Sequence, residues 1–257
     1  MKVSILQIDI KWAHEQQNIS DVQAMMDASP GSDLYVLPEM WATGFITRPE
    51  NIAKTESASE ALAWMKSVAA ERQCAVCGSL AVVDAEGNYR NRHYFIDGKS
   101  NTVHYYDKHH LFTYGHEDRY YTAGELPVIV SYMDFRILLL TCYDLRFPIW
   151  SRYGRMGEYD MTLLVANWPQ PRMNAWHVLT RARAIENQCY FVAVNRVGAD
   201  SSCRYVGGSA VISPTGKTLV QCRPGVPDVA TVDVDIDSLQ SMRDTFRVLA
   251  DRDRLTD

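Results

Sequence analysis

The feature that most constrains this chain is a set of short apolar runs separated by amphipathic stretches. Ile137-Leu138-Leu139-Leu140 is apolar at every position, and Leu34-Tyr35-Val36-Leu37 and Met161–Ala166 are nearly so. Successive residues of a strand point to opposite faces, so such runs belong to sheets covered on both sides. Further strands are expected at Val3–Ile8, Ala75–Val83, Tyr89–Ile96 and Thr102–Tyr106, with turns at Glu86-Gly87-Asn88 and Asp97-Gly98. The second half repeats the plan with Val128–Tyr132, Arg136–Thr141, Tyr190–Val194, Ser209–Ile212 and Val229–Val234.

Between the strands the period changes to that of a helix. Ile19, Val22, Met25 and Met26 share one face, and Pro30-Gly31 ends the segment. Ser57 and Glu60 have capping-box spacing ahead of the stripe Leu62, Met65, Val68 and Ala69. Ala175, Val178, Leu179, Ala182 and Ile185 form a third apolar face, and a short helix is expected after Pro148. No Pro/Ser/Gly-rich linker or charge shift divides the chain. The reading is one α/β domain with two sheets over all 257 residues.

Composition narrows the function. The chain has 26 basic and 31 acidic residues and no basic run, which argues against a nucleic-acid or anionic-membrane surface. Met1–Asp9 reads as a first strand rather than an export signal, and no apolar stretch approaches bilayer length. A cytoplasmic protein is expected. Its six cysteines are then expected to be reduced, so a reactive thiol is allowed without being identified. Cys74 and Cys77 have redox or half-zinc spacing, but within a strand they point to opposite faces. His104, His109, His110 and His116 cluster in sequence without ligand spacing. No metal and no cofactor is implied.

Three polar residues stand just beyond apolar strands: Glu39, Lys108 and Cys142. Ligand sites of α/β sheets gather outside the carboxyl ends of strands, so the three could share a rim. Taken singly, Glu39 reads equally as a capping group, Lys108 as a surface lysine and Cys142 as a core thiol. Cys142 precedes Tyr143-Asp144-Leu145-Arg146-Phe147-Pro148, which suggests a strand-to-helix turn whose N–H groups would favour a thiolate. Together the three are chemically complete for cleaving an amide. The thiol needs a base, which Glu39 could supply, and the oxyanion needs positive charge from Lys108 beside the backbone N–H of Tyr143.

Three ordered blocks carry a resemblance. They are Leu37-Pro38-Glu39-Met40, Tyr106-Asp107-Lys108-His109-His110-Leu111-Phe112 and Thr141-Cys142-Tyr143-Asp144-Leu145-Arg146-Phe147-Pro148. They resemble the catalytic blocks of the carbon–nitrogen hydrolase (nitrilase) superfamily, and the likeness runs from Val3 to about Asp237, leaving a tail of residues 238–257. Val165-Ala166-Asn167-Trp168-Pro169, Arg181–Gln188 and Asn195-Arg196-Val197-Gly198 look most like its omega-amidase branch.

The resemblance implies a single-domain, four-layer α-β-β-α sandwich, commonly paired into homodimers. It also implies Glu39 as general base, Lys108 as stabiliser of the intermediate and Cys142 as nucleophile. Glu117 matches a second glutamate that orients the lysine or positions the amide. Asn167, Trp168, Phe45 and Tyr114 are pocket candidates. Arg146 could grip a substrate carboxylate, although an internal ion pair is the favoured reading of it. The expected reaction is hydrolysis of the omega-amide of a 2-oxo dicarboxylate, 2-oxoglutaramate or 2-oxosuccinamate, to the dicarboxylate and ammonia. The alternatives are an N-carbamoyl amine, a nitrile or an aliphatic amide as substrate, or a non-catalytic binding protein that retains the sandwich.

Overall fold

A computed structural model describes residues 1–253. Its first half comprises β1 (Lys2–Gln7), α1 (Glu15–Asp27), β2 (Leu34–Val36), the two-residue β3 (Lys54–Thr55), α2 (Glu60–Arg72), β4 (Ala75–Val83), β5 (Tyr89–Asp97) and β6 (Thr102–Asp107). There follow β7 (Ile129–Tyr132), β8 (Phe135–Thr141), β9 (Met161–Ala166), α3 (Met173–Glu186) and β10 (Tyr190–Asn195). The chain continues through β11 (Val197–Ala199), β12 (Arg204–Val206), β13 (Ala210–Ile212), β14 (Thr218–Gln221), β15 (Asp228–Asp233) and α4 (Ile236–Thr245).

Two sheets result. One has the order β15-β1-β2-β4-β5-β6 with β3 beside β4, and the other β14-β13-β10-β9-β8-β7; β11 and β12 form a separate ribbon. Strands β1, β2 and β4 are parallel, with α1 and α2 as the crossovers that parallel pairing requires. β15 returns antiparallel to β1, pairing Lys2 with Asp233, so the two ends of the chain meet within one sheet.

The apolar runs are explained by which face each residue serves. Ile137 and Leu139 of β8 join Val3, Ile5, Val36 and Phe95 in the core between the sheets. Leu138 and Leu140, one residue out of phase, pack outward with Trp176 and Ala184 of α3. The outer face of the first sheet, including Leu6 and Val76, is covered by Val22 and Met26 of α1 and by Leu62 and Met65 of α2. The layers are therefore helix, sheet, sheet, helix. Cys74 faces the helices and Cys77 the inter-sheet core, which rules out their joining in one site.

Two local expectations are corrected. Helix α2 is capped by Ser59, whose Oγ accepts from Leu62 N at 3.2 Å, while Ser57 lies in the preceding 3-10 turn. A hydroxyl caps only from the residue flanking the first turn, and Glu60 already opens the helix. In α3 the buried face is Trp176, Thr180, Arg183 and Ala184, whereas Val178 and Ile185 are 56% and 51% exposed. Hydrogen bonds turn the helix: Trp176 Nε1 donates to Gly208 O at 2.9 Å and Arg183 donates to Leu145 O at 3.0 Å. Beyond residue 237 the chain continues α4, where Arg243 donates to Asp160 at 2.8 Å; residues 254–257 lie outside the described residues. No described helix is long and apolar enough to cross a membrane.

Candidate active site

Four strand ends from the two sheets converge. Glu39 follows β2 by way of Leu37-Pro38, Lys108 follows β6, Cys142 follows β8 and Asn167 follows β9. Glu39, Lys108 and Glu117 are closed off from solvent, while Cys142 is half-buried. Lys108 Nζ donates to Glu39 Oε1 at 2.9 Å and to Glu117 Oε2 at 2.8 Å. An ammonium with two carboxylates at hydrogen-bond distance is the arrangement that makes burial of all three charges tolerable.

The carboxylates are further held by neutral donors. Asn91 Nδ2 lies 2.8 Å from Glu39 Oε1 and 2.9 Å from Glu117 Oε1, so one amide serves both. That amide is oriented by Ser79 Oγ, which donates to Asn91 Oδ1 at 2.9 Å and accepts from Met40 N at 2.9 Å. Asn167 N donates to Glu39 Oε2 at 2.8 Å, and Phe112 N donates to Glu117 Oε2 at 2.7 Å. Asn167 Nδ2 also donates to the backbone oxygen of Glu39, at 2.6 Å. Glu39 is thus fixed from both sheets at once.

The charges shift proton affinities in a definite sense. Burial alone would pull Lys108 down, but the charges of Glu117 and Glu39 outweigh it and hold the ammonium well above its ordinary range. Burial pushes Glu117 up, with Lys108 opposing. Burial, aided by the Glu39 charge, also pushes the Cys142 thiol well above its usual value. This corrects the expectation that helix N–H groups favour a thiolate. Cys142–Arg146 is only a 3-10 turn, with Pro148 opening a second short one, and the aligned dipoles of a helix are absent. Burial therefore disfavours a free thiolate at Cys142.

Backbone strain marks the same place. Cys142 has φ of +46° and Met40, next to Glu39, has φ of +42°. Non-glycine residues enter this region rarely and at a cost. The turn after Cys142 is pinned by buried Asp144, which accepts from Thr141 N at 2.9 Å, Tyr106 Oη at 2.8 Å and His110 N at 3.0 Å. His109 stacks on Trp150 and His110 on Phe147, and the two imidazoles meet edge to face at 4.6 Å. Among the described residues no group of three or more His, Cys, Asp or Glu is arranged to hold a metal ion.

The remaining candidates sort by position. Tyr143 and Phe45 flank Phe112 at ring distances of 5.1 and 6.3 Å, and Lys108 Nζ lies 5.4 Å from the Phe45 ring centre. Tyr114 is 78% exposed at the rim, 5.8 Å from Phe112. Trp168 packs against Trp176 in the outer core at 5.6 Å. Arg146 makes no ion pair among the described residues, contrary to the favoured sequence reading; its guanidinium lies 4.9 Å over the Trp168 ring. Sequence reasoning missed Asn91, Ser79 and Asp144. Asn91 had a signal, because in β5 it alternates inward with His93 and Phe95, where a polar residue needs a partner.

The two-sheet sandwich and this Glu-Lys-Glu cluster beside a thiol are those of a hydrolase, and the chain belongs to the carbon-nitrogen hydrolase family, whose model matches residues 2–244. It is 37% identical to "Omega-amidase YafV" of Escherichia coli (strain K12), over 98% of this chain and 97% of that one. It is 28% identical to "2-oxoglutaramate amidase" of Bacillus subtilis (strain 168), covering 97% and 96%. Among solved structures, XC1258 from Xanthomonas campestris, described as a CN-hydrolase superfamily protein, superposes with a TM-score of 0.93 at 34% identity, covering 100% of this chain and 98% of that one.

Proposed function

We propose that this protein hydrolyses a primary amide through Cys142, and that its substrate is the omega-amide of a 2-oxo dicarboxylate such as 2-oxoglutaramate or 2-oxosuccinamate. The observation that carries the chemistry is the buried Lys108 held between Glu39 and Glu117 at 2.9 and 2.8 Å. The substrate class is supported by similarity to an omega-amidase and a 2-oxoglutaramate amidase.

Glu39 accepts the Cys142 proton as sulfur attacks the amide carbon. Burial raises the cost of a free thiolate at Cys142, which favours proton transfer that accompanies attack over transfer that precedes it. Lys108 has three N–H donors, of which two are committed to carboxylates; the third is available for the oxyanion. The Tyr143 amide, at the second position of a 3-10 turn, has no carbonyl within that turn to donate to and is the second oxyanion donor. Collapse breaks the C–N bond, and the proton held by Glu39 leaves on ammonia. Water then gives a proton to Glu39 and attacks the thioester, releasing the carboxylic acid product and returning the proton to sulfur. Glu117 keeps Lys108 in place.

The test is ammonia release from 2-oxoglutaramate, 2-oxosuccinamate, succinamate, glutamine, asparagine and a carbamoylated amino acid. Cys142→Ala is expected to abolish release with an unchanged circular dichroism spectrum. Turnover retained by that variant would sink the assignment, and carbon dioxide released along with ammonia would transfer it to carbamoyl substrates.

The same reading includes a cytoplasmic enzyme that self-associates. Six unpaired cysteines support the first, and the exposed Val178 and Ile185 of α3 support the second. Light scattering of the purified chain and of Val178→Glu/Ile185→Glu checks it: a monomer in both ends the idea.

A further inference from the structure

Arg146 and Arg172 differ from every other buried or half-buried arginine among the described residues. Arg72, Arg90, Arg92, Arg136, Arg152, Arg183, Arg196, Arg243 and Arg252 each donate to a carboxylate or a backbone carbonyl. Arg146 and Arg172 are half-buried and have neither an ion pair nor a side-chain hydrogen bond; both rest on aromatic rings. Arg172 lies 5.3 Å from the Phe112 ring centre and 4.9 Å from that of Tyr114. Arg146 lies 4.9 Å over Trp168.

Phe112 and Tyr114 belong to the mouth of the site, whereas Trp168 is buried in the outer core. Phe112 is 5.1 Å from Tyr143, the residue after Cys142, and its amide holds Glu117. Trp168 Nε1 donates to Arg172 O at 2.8 Å, which ties the two arginines to one segment. Stacking occupies the faces of a guanidinium and leaves its in-plane N–H fork open, the geometry that matches a carboxylate.

We propose that Arg172, together with Arg146, is the carboxylate-reading element of the site and restricts it to amides that carry an anionic group at the far end. The proposal rests on the amidase reading above. It also answers an electrostatic need: the buried centre holds two carboxylates against one ammonium, and an anionic substrate entering it requires cations at the rim.

The experiment compares kcat/KM for succinamate with that for butyramide, a neutral amide of the same carbon count, in the full chain and in Arg172→Met, Arg172→Lys and Arg146→Met. The succinamate-to-butyramide ratio is expected to fall about 100-fold in Arg172→Met, chiefly through KM, and to recover in part with Arg172→Lys. A ratio that stays at the wild-type value in both methionine variants overturns the proposal, because packing alone would lower both substrates together. Calorimetric titration with succinate runs in parallel: binding by the unmodified protein and its loss in Arg172→Met supports the site, and equal binding by both overturns it. Should the unmodified protein release ammonia from neither amide, the amidase reading fails and the succinate titration still decides the anion site.

Discussion

Lys108 Nζ sits 2.9 Å from Glu39 Oε1, and neither side chain has any solvent-exposed surface. A charge pair so enclosed contributes little when intact relative to an apolar substitute, but removing one member leaves the other stranded. Here two carboxylates would be stranded by one substitution.

Lys108→Met is therefore expected to cost about 3–5 kcal/mol at neutral pH. The pH dependence has a definite sign. Burial raises Glu117 above its ordinary 4.5, and Lys108 is what restrains the rise. A carboxyl with a raised folded value contributes fully below the unfolded value and loses that contribution as pH climbs through the folded one. The deficit of the variant should thus shrink as pH falls toward 4.5. Urea midpoints of both proteins at neutral and mildly acidic pH check this; a deficit that widens toward acid would refute it.

Asn91 offers a subtler perturbation. Its single amide supports both carboxylates, so Asn91→Leu removes one hydrogen bond from each. The bond to Glu117 favours that residue's ionised form, and its loss should shift the acid limb of the kcat/KM profile to higher pH, with a stability loss of about 1–3 kcal/mol. Ser79→Ala, which only frees the amide to rotate, should move the limb less. A rate that falls by the same factor at every pH would make Asn91 a packing residue.

The thiol makes a separate prediction. With Cys142 held well above 9.0 by burial, its alkylation by iodoacetamide should keep rising as pH passes 9.0, where an ordinary exposed thiol begins to level off. Cys203 is the other half-buried cysteine and serves as the internal control, while Cys74, Cys77, Cys189 and Cys222 are buried. Peptide mass spectrometry follows each site; a Cys142 rate that is already flat at neutral pH would mean a resting thiolate.

Much of this architecture is legible in the residues because strand polarity is a local property. Ile137–Leu140 had to be covered on both sides, and Glu39, Lys108 and Cys142 each had to stand at a strand end. What the pattern could not supply depends on partners distant in sequence. Helix α3 turned away from its apolar face because Arg183 and Trp176 found carbonyls at Leu145 and Gly208. Asn91 looked like one residue of an ordinary strand until Glu39, 52 residues earlier, met it across the sheet. Arg172 follows β9 by six residues, and only the Trp168 indole shows where that loop returns.

The left-handed backbone at Cys142 sets a standing conflict between what the chain prefers and what the reaction requires. At φ of +46° the conformation suits glycine, and Cys142→Gly would relieve strain of about 1 kcal/mol while deleting the sulfur. A lineage freed from the need for turnover would gain by making that exchange. A cysteine at this position is thus a record of use, written in the backbone as much as in the side chain.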